Sequence, residues 1–242
     1  DRMRALIPLI TGKEKKIVVL SAMSGTTNAL VQITDLLYTG NVNEASSKIE
    51  SLRAVYHQVV HDLYATDDYR KTGHELIDSH FDYINNFTLR VFTKLQEKSI
   101  VAQGELLSTS LFHHLLKERE IKSVLLPALN FMRIDKDGEP DYFYIEENLN
   151  RELKKYKSET IIITQGFICR NVYGEIDNLK RGGSDYSASI IGAALKVKEI
   201  QIWTDISGFR NNDPRYVEDT RIIRELSFDE AAELAYFGAK IL

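Results

Sequence analysis

The sequence predicts an α/β domain built on a largely parallel sheet with helices on both faces. Three observations carry that prediction. Short β-branched runs recur along the chain, helical patterns separate them, and 242 residues with 43% hydrophobic content suffice to bury one sizeable core.

The first run, Ile17-Val18-Val19-Leu20, reads as a buried strand. A long section without proline follows, from Asn43 to about Lys117. In it Leu52, Val55, Tyr56, Val59 and Leu63 make one apolar stripe, and Ile77, Phe81, Ile84, Thr88, Val91 and Leu95 make a second. Two antiparallel helices joined near Asp67 to Gly73 would bury these stripes against each other, so the helical section 43–98 is expected to pack rather than to react. Ser123-Val124-Leu125-Leu126 and Thr160-Ile161-Ile162-Ile163-Thr164 supply further strands. Between them, Arg133 to Tyr144 reads as a β-hairpin turning at Asp137-Gly138, and Leu149, Leu153 and Tyr156 at i, i+4, i+7 read as a helix. Glu199-Ile200-Gln201-Ile202-Trp203 is expected to be another strand, and a capping box, Ser227 with Glu230, starts a helix through Ala231, Leu234 and Ala235.

Composition narrows the function classes. A formal charge of −4 with both signs mixed throughout forces no cationic face, which argues against a nucleic-acid partner. The single cysteine, Cys169, forms no internal disulfide, and no apolar run reaches the roughly 18 residues of a membrane span, so a reducing cytoplasm is the expected compartment. The first residue is Asp1, and Lys240-Ile241-Leu242 stops without a closing glycine or proline. The chain is therefore expected to be a piece of a longer protein.

In a parallel α/β sheet, ligands sit outside the carboxyl ends of the strands, so the segments after strands matter most. After Leu20 comes Ser21-Ala22-Met23-Ser24-Gly25-Thr26-Thr27-Asn28, small residues that lead into a helix and aim N–H groups and hydroxyls outward. A tight turn with an N-cap explains the same residues. After Thr164 comes Gln165-Gly166-Phe167, then a polar loop closing on Arg181-Gly182-Gly183-Ser184-Asp185-Tyr186. Paired glycines admit close backbone approach, and an arginine fork suits a carboxylate or phosphate better than a plain turn requires. After Trp203 come Thr204-Asp205, Gly208 and Asp213-Pro214-Arg215, which read as a loop able to close over a nucleotide or as ordinary turn chemistry. His57 and His61 at i, i+4 lack the glutamate of HExxH and read as a solvated or core-edge pair, and no metal-ligand set is assigned. GxxxxGK[ST], HRD and DFG are all missing, which argues against P-loop and protein-kinase folds.

Taken in order, SAMSGTTN at 21–28, QGE at 103–105, TQGF at 164–167, RGGSDYSA at 181–188, WTDISGF at 203–209, DPR at 213–215 and SFDEAAELAYFGAKIL at 227–242 resemble the aspartate kinases. The resemblance implies the amino acid kinase (carbamate kinase-like) fold, a three-layer α/β/α sandwich, with 1–242 as a catalytic domain truncated at both ends. It implies that Thr27, Glu105, Phe167, Arg181 and Ser184 hold L-aspartate, Glu105 at its ammonium and Arg181 at its α-carboxylate, with Asp185 organising the catalytic centre. Thr204, Asp205, Arg215, Lys240 and Ile241 would face ATP, with Mg²⁺ bound mainly through the phosphates. The family's KFGGTS segment is not within residues 1–242, so this chain alone is expected to bind nucleotide weakly and not to turn over. Regulatory domains are expected beyond Leu242, and homo-oligomers in the full-length protein. Two alternatives stay open: a kinase of the same fold for another acid or a nucleoside monophosphate, and an inactive aspartate-binding module.

Overall fold

The computed structural model describes residues 2–89, 91–179, 183–204, 208–213 and 216–236. The chain divides into two compact units, Asp1–Lys198 and Glu199–Leu242, each described by itself.

The first unit runs α1 (Arg2–Ile10), β1 (Lys16–Leu20), α2 (Thr26–Tyr38), α3 (Val42–Leu63), α4 (Asp67–Asn85), α5 (Lys94–Val101), α6 (Gln103–Glu118), β2 (Val124–Leu125), α7 (Tyr142–Leu153), β3 (Ile161–Gln165), β4 (Ile168–Arg170), β5 (Ile176–Asn178) and α8 (Gly183–Ala194). Strands β1, β3 and β2 form a parallel sheet in the order β1-β3-β2, with Lys16 opposite Ile161 and Leu20 opposite Gln165. Strand side chains alternate between faces. Ile161 and Ile163 accordingly enter a core built with the helices α2 to α6, while Ile162 enters a second core with residues of α7 and α8. Helices thus cover both faces of a parallel sheet, the α/β architecture read from the β-branched runs.

The helical section forms the expected antiparallel pair, with three details changed. The turn lies at residues 64–66, and Asp67 to Gly73 already belongs to α4, whose first turn carries Asp67 and Asp68 at its positive end. The buried stripe of α3 is Ala45, Ile49, Tyr56, Val60 and Leu63, whereas Val55 is 55% exposed, because the seam drifts round the helix at 3.6 residues per turn. The second stripe stops at Ile84, where α4 gives way to a 3₁₀ turn at Asn86–Leu89, and Val91 is 86% exposed. Gly73 marks the closest approach: a Cβ there would meet Tyr64 Cε2 at 2.7 Å and Val60 Cγ1 at 2.8 Å. The hairpin also reaches the sheet side of the molecule through polar bonds. The buried Tyr56 hydroxyl lies 2.9 Å from Thr26 Oγ1, and His80 Nδ1 lies 2.6 Å from Gln103 Oε1.

The hairpin expected over Arg133 to Tyr144 reduces to a single bridge, Ile134 with Pro140. Asp135 Oδ1 accepts from the amides of Asp137 at 2.8 Å and Glu139 at 3.0 Å, which makes the turn. Asp141 Oδ1 then accepts from the Tyr144 amide at 3.0 Å and caps α7, so the chain enters a helix where a second strand would run. Tyr156 lies past the end of that helix and still packs on its core.

In the second unit, Ser227 and Glu230 form the expected capping box, with the Ser227 amide donating to Glu230 Oε2 at 2.8 Å and the Glu230 amide to Ser227 Oγ at 3.2 Å. The helix they start is α9 (Phe228–Tyr236). Glu199–Trp203 is not a strand, and Trp203 is 65% exposed. Among the described residues this unit holds one antiparallel bridge, Arg210 with Ile222, so the run has no ladder to complete.

Candidate functional site

The sheet sets the site's position. Where β1 ends at Leu20 and β3 at Gln165, the Gly166 amide donates to the Leu20 carbonyl at 2.9 Å and the two chains then part. The opening between them is a pocket of about 200 Å³ lined by Ser21, Ala22, Thr27, Glu105, Phe167, Gly183 and Ser184. This is the carboxyl edge of a parallel sheet, the usual ligand position in α/β proteins. A larger cavity of about 850 Å³ adjoins it and shares Ser21 and Ala22.

Each wall has a local cause. The SAMSGTTN segment makes a turn in which Gly25 takes φ 81°, a left-handed conformation that suits glycine, and α2 starts at once, which places Thr27 in its first turn. Helix α6 brings Glu105 in from behind; Gly104 permits this, since a Cβ there would meet the Ala22 Cβ at 2.9 Å. The third wall is the Gly166-Phe167 turn against the start of α8. A Cβ on Gly166 would meet Ser184 Oγ at 2.5 Å and Ser184 Cα at 2.7 Å, and one on Gly183 would overlap the Phe167 ring. Gln165 anchors the end of β3: its Nε2 donates to Thr109 Oγ1 and its Oε1 accepts from the Ala128 amide, both at 2.8 Å.

Glu105 dominates the electrostatics. It is 3% exposed, its Oε1 accepts from the Ala22 amide at 3.3 Å, and its Oε2 is buried with no partner. Burial pushes its carboxyl up to about 7, against the lowering effect of backbone amides. An acceptor held this way at a pocket wall is a receptor for a cationic donor.

Of the residues singled out in the sequence, Thr27, Glu105, Phe167 and Ser184 meet around this pocket. Asp185 lies half-buried in the first turn of α8 and is not among the lining residues, nor is Gly25. Thr204 is exposed in the second unit. Arg181, Asp205, Arg215, Lys240 and Ile241 lie outside the described residues. His57 Nδ1 sits 2.6 Å from His74 Nδ1 and its Nε2 3.0 Å from Asp78, at the edge of the helical pair. No group of three or more metal-ligating side chains converges among the described residues. Sequence reasoning passed over Ser21, Ala22 and Gly183 as walls, although all three lie within the quoted motifs.

A helix-flanked parallel sheet with a small pocket at its carboxyl edge is the arrangement in which α/β proteins bind small ligands. The amino acid kinase family model matches residues 2–242, and the chain belongs to that family. Lysine-sensitive aspartokinase 3 of Escherichia coli (strain K12) is 35% identical over 230 residues, which are 94% of this chain and 50% of that protein. A bifunctional chloroplastic aspartokinase/homoserine dehydrogenase 1 of Zea mays is 33% identical over 247 residues, 95% of this chain and 26% of that protein. Among solved structures, E. coli aspartokinase III in complex with aspartate and ADP (R-state) is similar with a TM-score of 0.82 and 32% identity, over 99% of this chain and 53% of that one. The chain thus spans about half the length of the E. coli aspartokinase and about a quarter of the bifunctional Zea mays protein. No helix among the described residues is long and apolar enough to cross a membrane.

Proposed function

We propose that this chain is the catalytic domain of a cytoplasmic aspartate kinase, which transfers the γ-phosphoryl group of ATP to the side-chain carboxylate of L-aspartate. The product is 4-phospho-L-aspartate, the first step of lysine, threonine and methionine biosynthesis. The observation that carries this reading is the buried, unpartnered Oε2 of Glu105 in a pocket the size of a small amino acid. An ammonium group supplies the missing donors and the compensating charge.

The aspartate β-carboxylate has a free pKa of about 3.9 and is already ionised at neutral pH, so no general base is needed. Catalysis then rests on positioning two anionic reactants and offsetting the charge between them. Glu105 holds the ammonium, the Arg181 fork grips the α-carboxylate, Thr27 and Ser184 donate from the starts of two helices, and Phe167 excludes water. Asp185 organises the centre. ATP supplies the phosphoryl group and carries Mg²⁺ on its phosphates. Thr204, Asp205, Arg215, Lys240 and Ile241 are the residues we assign to the nucleotide: the Asp205 carboxylate can accept from ribose hydroxyls, and Arg215 and Lys240 can donate to a polyphosphate. The working protein is a homo-oligomer in this reading.

Calorimetric titration of the chain tests the assignment. L-Aspartate is expected to bind, and succinate, which keeps both carboxylates but lacks the ammonium, is expected to bind at least tenfold more weakly, since a hydrogen bond to a charged group is worth roughly 1.5–3 kcal/mol. Equal affinity for the two would overturn it. In the longer enzyme, Arg181→Lys is expected to lower kcat/KM for aspartate by about ten- to a hundredfold, because lysine keeps the charge and loses the planar fork. The Kd for ATP should barely move. An aspartate KM unchanged by that substitution removes Arg181 from the substrate site.

A further inference from the structure

We infer that Ser187 is the positioning residue that sets the width of the aspartate pocket by locking the Phe167 turn to the first turn of α8; the inference rests on the aspartate-binding reading above. Ser187 is 0% exposed and is not among the residues lining either cavity described above, so it is not placed to touch a ligand there. Its hydroxyl nevertheless joins the two walls that do. Oγ donates to the Gly183 carbonyl at 2.6 Å and accepts from the Phe167 amide at 2.9 Å. The Phe167 amide reaches the Gly183 carbonyl as well, at a longer 3.3 Å.

That bond matters because of the conformation it holds. Phe167 has φ 63°, the left-handed region that a bulky side chain enters only when its surroundings impose it. Two kinds of contact impose it here. Gly166 and Gly183 let the turn and the helix touch without a Cβ between them, and those glycines set the distance of closest approach. Glycines permit approach and do not hold it. The hold comes from Ser187, together with the Leu179 amide, which donates to the Phe167 carbonyl at 2.7 Å. Without the hydroxyl, the Phe167 amide keeps only its longer bond, and the turn can relax away from the left-handed basin. Phe167 and Ser184 would then part, and a pocket matched to a small amino acid would loosen.

The test uses Ser187→Ala and Ser187→Thr in the same chain, read by calorimetric Kd for L-aspartate and by hydrogen exchange at the Phe167 amide. Ser187→Ala is expected to weaken aspartate binding by roughly tenfold, the worth of one buried hydrogen bond, and to speed Phe167 exchange by a similar factor. Ser187→Thr restores the hydroxyl and is expected to recover both. Both measurements are made well below the melting temperature, where a role confined to stability moves neither Kd nor its rescue. A parent chain that binds no aspartate overturns the aspartate reading and this inference with it. A parent that binds, with a Ser187→Ala variant of unchanged Kd, overturns the inference alone, whatever the exchange rate does.

Discussion

Glu105→Gln is expected to weaken aspartate binding by about a hundredfold and, in the same protein, to raise the stability of the ligand-free chain at pH 8. The binding loss follows from removing the charge that pairs with the ammonium, since truncating one partner of a buried charge pair costs roughly 2–5 kcal/mol. The stability gain follows from the raised carboxyl. Its folded value of about 7 exceeds its ordinary value of 4.5, so between these pH values the folded protein holds more protons than the unfolded one. Stability from this group is therefore fully present below pH 4.5 and is lost as pH rises through 7. At about 1.4 kcal/mol per unit, the parent carries a burden of roughly 3 kcal/mol at pH 8 that glutamine removes. Thermal melting across pH 4 to 8 checks the sign. A parent and a variant with parallel pH dependence would show that Glu105 is not held in the environment described.

Gly166→Ala should have the largest structural effect of any single methyl group added near the pocket. The new Cβ would lie 2.7 Å from Ser184 Cα, and backbone does not turn aside as a side chain can. Overpacking of this kind costs typically 1–3 kcal/mol and more where backbone must shift. A loss of about 3 kcal/mol corresponds to a fall in Tm of about 6–12 °C for a domain of this size. The shift needed also separates Phe167 from Ser184, so aspartate binding should disappear with it. A melting temperature within 2 °C of the parent, or an unchanged Kd, contradicts the close approach of the turn to α8.

The sheet was legible because Ile17–Leu20 and Ile161–Thr164 are fully apolar or β-branched, a pattern that only a two-sided burial uses. The pocket was legible in part because Thr27 and Phe167 follow β1 and β3, which run in one direction, whereas Ser184 follows β5 of the separate antiparallel pair β4-β5. Glu105 was not readable from topology. It arrives on a helix, behind the site, and only the resemblance carried by QGE at 103–105 pointed to it. The errors share a physical origin. Glu199–Trp203 has strand-like residues but pairs with no strand among the described residues of its unit, and strand propensity expresses fit to a sheet rather than a property of the segment. Arg133 to Tyr144 has a true turn, yet Asp141 serves as a helix cap, and a local side-chain bond decided which way the chain left that turn. Ser187 was printed inside the RGGSDYSA motif, but nothing in a linear sequence tells that its hydroxyl faces the Phe167 amide, twenty residues earlier.

The contact between Tyr56 and Thr26 bears on how far this architecture can be shortened. Residues 42–89 look like a removable insertion, since they contain no strand and none of the residues assigned to substrate. Their excision would nonetheless take away the hydroxyl that meets Thr26 Oγ1 at 2.9 Å, one residue before the pocket wall at Thr27. It would also strip His80 from Gln103 Oε1, two residues before Glu105, and leave the Gln103 side chain only its Nε2 bond to the Ser99 carbonyl. Each buried polar group left alone costs roughly 1–3 kcal/mol. A minimal version of this protein, pared to sheet and flanking helices, would thus lose its footing at both Thr27 and Glu105, and the smallest working domain must keep a helical hairpin that performs no chemistry.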